Sequence, residues 1–337
     1  MKIMLDAVGG DFGVGTTVTG ALEAAEALPQ DTVVLIGPET EIRSFIESKF
    51  FKTENIEIIN TTQTIGMDES PTQSIKDKPD SSIVKGMHLL RDGEVDAYVS
   101  CGNTGAVMTG AFLIVGKIKG IQRPAIATYF PTRSEFGFCL MLDVGANVDV
   151  KPLGLYHFAQ MGSIYAKHSM GITNPKIGLL SIGEEKCKGN ELILKTHKLL
   201  EESNLNFIGN IEGRDIIKGA ADIVVCDGFV GNVLLKFAEG LFEVMMKEVK
   251  DQIKGSIAAK IGTLFFIRVI HNLRKRFHYS EFGGAPLIGI NKPVIIGHGI
   301  SSSTAVRNAI VLAKKYAESN IIGHIRENIE EFKSEPS

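Results

Sequence analysis

The chain has 337 residues, 44% hydrophobic and 22% charged, with a formal net charge of −3. That length holds one large or two ordinary α/β domains with a sizeable core, and the near-balanced charge argues against a chain-wide nucleic-acid surface. The four cysteines (Cys101, Cys139, Cys187, Cys226) show no C-x-x-C spacing, so neither a zinc site nor a disulfide framework is indicated and a reducing cytoplasm fits best.

Residues 2–5 read as a short strand, followed by Asp6-Ala-Val-Gly-Gly-Asp11 and a helix through 21–28. The early acidic residues are unlike a signal peptide. Strands are predicted at 32–36 and 56–59, with a helix at 40–49 between them. Residues 61–80 show no period and read as a long surface loop before a helix at 82–91. A strand at 97–99 leads into Ser100-Cys-Gly-Asn-Thr-Gly-Ala106 and a helix over 106–115. Asn103 and Thr104 could cap that helix, offer donors to an anion at its N-terminus, or both. Residues 99–116 carry no charge, but their glycines and polar groups make a poor membrane span.

Residues 125–129 and 138–142 pattern as an antiparallel hairpin ending in Asp143-Val-Gly-Ala-Asn147. A helix follows over 151–170, in which His157 and His168 read as packing or surface groups. A strand at 176–182 ends in Gly183-Glu-Glu-Lys-Cys-Lys-Gly-Asn190, before a helix at 191–203. Residues 207–208 read as a short strand. The stretch 221–240 repeats the same grammar: an apolar strand at 223–226, Asp227, a turn allowed by Gly228 and Gly231, then a helix opened by Asn232. Its apolar residues Val233, Leu234, Phe237, Leu241, Phe242 and Met245 predict an amphipathic helix.

Residues 252–280 carry six Lys/Arg and no acidic residue, among large apolar side chains. Such a basic amphipathic helical insertion suits an anionic membrane surface, with a dimer interface or a core helix pair as the alternative. Leu264, Phe265, Phe266, Arg274, Lys275 and Arg276 are its candidate contacts. A strand at 293–296, the turn Gly297-His298-Gly299 and a helix at 304–319 complete one α/β domain spanning 1–337. Alternating β and α segments predict a mostly parallel sheet with helices on both faces, a three-layer α/β/α sandwich. Ligands of such sheets bind beyond strand carboxyl ends. No phosphate-loop motif, nucleophile elbow, H-E-x-x-H or complete dinucleotide fingerprint is present. The residues alone indicate an α/β enzyme acting on a phosphate-containing substrate.

The six strand-end turns, from Asp6-Ala-Val-Gly-Gly-Asp11 through Phe207-Ile-Gly-Asn-Ile-Glu-Gly-Arg-Asp215 to Cys226-Asp-Gly-Phe-Val-Gly-Asn232, together resemble the PlsX family in order and spacing. The chain departs from that family at Val8, where Met is usual, and at Ile300, where Ser is usual. The resemblance implies an acyl-carrier-protein:phosphate acyltransferase that makes acyl phosphate for phospholipid synthesis, with no cofactor or metal. It implies a fold like the phosphotransacetylases and isocitrate-dehydrogenase-like proteins. It also implies a homodimer on the inner face of the cell membrane, feeding a membrane glycerol-3-phosphate acyltransferase. Under that reading Lys188 and Asn232 are the candidate catalytic residues. Asp6, Gly9, Gly10, Asn103, Thr104, Asp143, Asn147, Glu185, Asn210, Asp227 and His298 are candidate substrate-binding positions. Rival readings are a metal-dependent NAD(P) dehydrogenase on the related fold and a non-catalytic membrane scaffold.

Overall fold

The computed structural model describes residues 1–49, 54–255 and 283–331. Apolar, β-branched runs of three to seven residues form eleven strands of one continuous sheet. They are β1 (Lys2–Asp6), β2 (Thr32–Gly37), β3 (Ile56–Asn60), β4 (Ala97–Ser100), β5 (Ala125–Pro131), β6 (Phe138–Leu142), β7 (Ile177–Leu180), β8 (Phe207–Ile211), β9 (Ile223–Val225), β10 (Ala285–Ile288) and β11 (Val294–Ile296). Their order is β3-β2-β1-β4-β11-β10-β5-β6-β9-β7-β8.

Pairing is parallel within β3-β2-β1-β4-β11 and within β6-β9-β7-β8. β10 is antiparallel to both β11 and β5, and β5 is antiparallel to β6. The sheet is therefore mostly parallel, in two groups that run in opposite directions.

Strand residues alternate between two apolar layers. Ile3, Leu5, Val33, Leu35, Ala97 and Val99 belong to one core cluster; Met4, Val34, Ile36 and Tyr98 belong to the other. The first layer is covered by α1 (Gly13–Ala27), α2 (Glu39–Lys49), α6 (Pro152–Tyr165), α7 (Glu191–Glu201), α10 (Ser303–Glu318) and α11 (Ile321–Glu331). The second is covered by α3 (Pro71–Asp77), α4 (Ser82–Asp92), α5 (Thr104–Gly110), α8 (Gly213–Lys218) and the inner edge of α9 (Gly228–Gly255). This is the predicted three-layer sandwich.

Several local expectations change. The presumed loop 61–80 contains α3, which begins at Pro71, a residue preorganised for a first helical turn. β8 extends through Asn210 instead of stopping at 208. β10 and α11 had no assignment from pattern. The membrane or carrier contact residues named above lie outside the described residues; of the basic segment, 252–255 are described and belong to α9.

His157, on α6, is buried and its Nδ1 accepts a 3.1 Å hydrogen bond from the Gln122 amide. Burial, aided by Lys117, pushes this imidazole from 6.5 down to about 4. The unfolded chain therefore takes up the proton first. The stabilising contribution is fully present above pH ~6.5 and disappears as pH falls toward 4, by up to about 3 kcal/mol. Chemical denaturation from pH 7 to 4 should show this loss, and a His157→Gln chain should show a flatter profile over the same range. Identical profiles would reject the assignment.

Candidate active site

The two strand groups each end in a rim of turns. In the first, buried Asp6 ends β1 and accepts the Ser100 hydroxyl at 2.7 Å and the Val8 amide at 3.3 Å. Burial pushes its carboxyl above the usual range, opposed by the Ser100 bond. Gly9 packs so closely that a Cβ there would lie 2.8 Å from the Gly102 nitrogen. Gly10 stands beside the Gly299 carbonyl, which accepts the Asp11 amide at 2.8 Å. The Asp6, Ser100 and Gly297 turns thus form one cluster.

Asn103 does cap α5: its Oδ1 accepts the Ala106 amide at 3.0 Å. Its Nδ2 donates to the carbonyls of Gly66, Met67 and Glu69, tying the 66–69 loop over the rim. Both ends of this amide are occupied, so its role in this arrangement is framework. Thr104 stands exposed at the first turn of α5.

The second rim is built on Asp143. This fully buried carboxylate accepts the amides of Ile126, Gly145, Ala146 and Asn147 and the Asn147 side-chain Nδ2, at 2.7–3.2 Å. Burial raises its carboxyl and these bonds oppose the rise. Asn147 Nδ2 also donates to the Pro124 carbonyl at 2.7 Å. Asn210 is equally bound: its Nδ2 donates to the Glu185 carbonyl at 3.0 Å and its Oδ1 faces His197 Nδ1 at 2.9 Å. It thereby holds the 183–190 turn. Asp143, Asn147 and Asn210, named above as candidate substrate-binding positions, make the hydrogen bonds that shape the rim.

Asp227 accepts the Val230 amide at 2.9 Å, so α9 starts at Gly228 and not at Asn232. Gly228 and Gly231 are helical residues at a close approach, not a turn. The Gly228 amide donates to the Asn147 carbonyl at 2.8 Å, and a Cβ on Gly231 would lie 1.9 Å from the Asp143 carbonyl oxygen. The helix start is thus pressed onto the Asp143 turn.

Two predicted residues remain chemically uncommitted. Lys188 and Asn232 are exposed, and their side chains have no hydrogen bond or ion pair among the described residues. Lys188 belongs to the turn after β7 and Asn232 to the first turns of α9 after β9; β7 and β9 are neighbouring parallel strands. Glu185 shares the Lys188 turn and is exposed.

α9 joins the rims. Its Lys236, one turn past Asn232, places Nζ 2.5 Å from Nε2 of His298, which follows β11. Lys236 also pairs with Glu239 at 2.8 Å. Burial, then the Lys236 charge, lowers the imidazole below its ordinary value. Lys236 and Glu239 were missed by sequence reasoning. The available signal was Lys236 at i+4 from Asn232, on the same helix face.

The outer face of α9 is apolar and, among the described residues, uncovered: Phe229, Val233, Phe237, Leu241 and Met245 are all exposed. Among the described residues no group of three His, Cys, Asp or Glu side chains is placed to hold a metal ion. No helix among them is long and apolar enough to cross a membrane.

A family model described as "Fatty acid synthesis protein" matches residues 1–324. A phosphate acyltransferase of Heliobacterium modesticaldum is 46% identical over 330 residues, covering 98% of each chain. One of Thermoanaerobacterium thermosaccharolyticum is 44% identical, covering 98% of this chain and 97% of its own. A solved phosphotransacetylase from Streptococcus pyogenes superposes with a TM-score of 0.60 at 19% identity, over 95% of this chain and 94% of its own. That likeness concerns the fold.

Proposed function

We infer the reaction from one premise: this chain belongs to the fatty acid synthesis protein (PlsX) family, whose matched relatives are phosphate acyltransferases. It is an acyltransferase with phosphate as a substrate. The finer reading proposed here is that the acyl donor is the thioester of a long-chain acyl-carrier protein and the product is an acyl phosphate for phospholipid synthesis. A phosphate oxygen attacks the thioester carbonyl carbon, the carbon–sulfur bond breaks, and the carrier leaves as its thiol.

The observation that carries the site assignment is the contrast around Lys188 and Asn232. Asn103, Asp143, Asn147 and Asn210 are used by the framework, while these two present free polar groups on adjacent strand ends. Lys188 is assigned to hold phosphate. The Asn232 amide is assigned to donate to the oxyanion of the tetrahedral intermediate. Such groups act by fixing the reactants together and by meeting charge as it develops. Mass spectrometry of a mixture of the protein, phosphate and palmitoyl carrier protein tests the reading. Acyl phosphate is the expected product, and its absence rejects it.

The exposed apolar face of α9 supports a homodimer, and a solution mass of one chain would contradict it. Residues 252–280 are proposed to meet an anionic bilayer from the cytoplasmic side, delivering product to a glycerol-3-phosphate acyltransferase there. Liposome flotation should be weaker for a Phe265/Phe266/Ile267→Ser chain than for wild type; equal flotation rejects insertion.

A further inference from the structure

The Lys236–His298 contact belongs to no step described so far. An ammonium has no lone pair, so at 2.5 Å from His298 Nε2 it must be the donor, and the imidazole facing it is neutral. His298 also lies 3.9 Å from Glu239 Oε2, the oxygen that Lys236 pairs with at 2.8 Å. The Ile300 amide approaches its Nδ1 at 3.3 Å. Among the described residues, the charged groups acting on the ring include Lys236, Glu239 and Asp11. Asn232 stands one turn, ~6 Å along the axis, before Lys236 on the same face. The cluster therefore continues the polar edge of α9 from the proposed oxyanion donor.

The reaction must move one proton. Hydrogen phosphate enters with a hydroxyl, acyl phosphate leaves without it, and the departing sulfur needs it. We propose that His298, held beside Lys236 and Glu239, relays this proton from phosphate to the leaving sulfur. The inference rests on the acyl-to-phosphate reading above.

The balance is closed. As the phosphate oxygen forms its bond to the carbonyl carbon, its proton passes to His298 Nε2, and Lys236 turns to Glu239, with which it already pairs. The carbon–sulfur electron pair goes to sulfur, which then takes the proton from the imidazolium. Thioester and hydrogen phosphate become acyl phosphate and thiol, with the histidine restored. Lys236 serves both halves: after burial, which lowers the imidazole most, its charge favours the unprotonated ring as a base and makes the imidazolium a stronger acid toward sulfur. Lys236 is thus a positioning residue and His298 the group that meets substrate.

The test is the pH dependence of acyl-phosphate formation in wild type, His298→Gln and Lys236→Met, with the His298 imidazole followed by NMR. His298→Gln should lower kcat by about 10²–10⁴-fold. Lys236→Met should move the acid limb and the NMR titration of His298 together to higher pH. Ionisation of phosphate is common to all three proteins and cancels from the comparison. Circular dichroism of the conservative His298→Gln chain checks its fold. If wild type makes acyl phosphate while His298→Gln stays within threefold of its kcat, the relay alone is overturned. An acid limb and titration unmoved by Lys236→Met also overturn it. If wild type makes none, the functional reading itself falls.

Discussion

Replacing Lys188 by alanine is expected to cut acyl-phosphate formation by about 10²–10³-fold while leaving the fold intact. The two halves of this expectation have separate causes. The side chain is exposed and makes no hydrogen bond or ion pair among the described residues, so its removal leaves no buried group unsatisfied. The turn keeps its shape because main-chain groups define it: the Lys188 amide donates to the Glu185 carbonyl at 2.9 Å, and Asn210 holds the Glu185 carbonyl. What disappears is a cation in the turn after β7, the strand that pairs with β9. Steady-state kinetics with phosphate varied, beside a denaturation curve, reads both halves. Wild-type turnover in a normally folded Lys188→Ala chain would remove Lys188 from the site.

Gly231→Ala should act in the opposite way, through the framework. The added methyl would sit 1.9 Å from the Asp143 carbonyl oxygen and 2.9 Å from Cys226 Sγ. The first obstacle is main chain and has no rotamer to escape into. The start of α9 must move away, breaking the 2.8 Å bond from the Gly228 amide to the Asn147 carbonyl. Overpacking of this kind costs about 3 kcal/mol or more. Moving Asn232 by about 1 Å would add a roughly 10²-fold loss of activity. Gly240, on the same helix, has nothing within 4 Å of its Cβ position. Gly240→Ala should be neutral or stabilising, by up to about 1 kcal/mol. Denaturant midpoints and kinetics of the pair check the contrast. Gly231→Ala within 1 kcal/mol of wild type and fully active would show that the close approach does not matter.

This pair shows where sequence pattern informs and where it stops. Strands such as 2–5 and 223–226 were legible because buried parallel strands read as apolar runs. The Asp and Gly residues after them marked the rims. The layers followed from β–α alternation. The reversal at β10 and β5 was not legible in full, since pairing direction is set by partners far apart in sequence. Gly228 and Gly231 looked like turn residues because glycine marks both turns and close approaches, and only tertiary contact separates the two. α9 was read as amphipathic, correctly by spacing, yet Phe237 and Leu241 face outward and not into this chain's core.

The polar residues divide in the same way. Asn103, Asn147, Asn210 and Asn232 are alike on the page, with each following a strand in a Gly-rich context. Their difference lies in hydrogen-bond use: the first three hold carbonyls of other segments, and Asn232 holds none among the described residues. Lys236 lies inside a helix that otherwise looks apolar; its i+4 spacing from Asn232 is the sequence signal, and the approach of His298, 62 positions later, identifies its partner.

The proposed reaction makes phosphate itself the acyl acceptor and an acyl-carrier thioester the donor. Incubation of the protein with oxygen-18-labelled phosphate and palmitoyl carrier protein, read by mass spectrometry, tests it most directly. The account predicts palmitoyl phosphate carrying the label, formed in equal amount with free carrier thiol. Free carrier thiol with unlabelled palmitate and no acyl phosphate, or no turnover of the thioester, would contradict it.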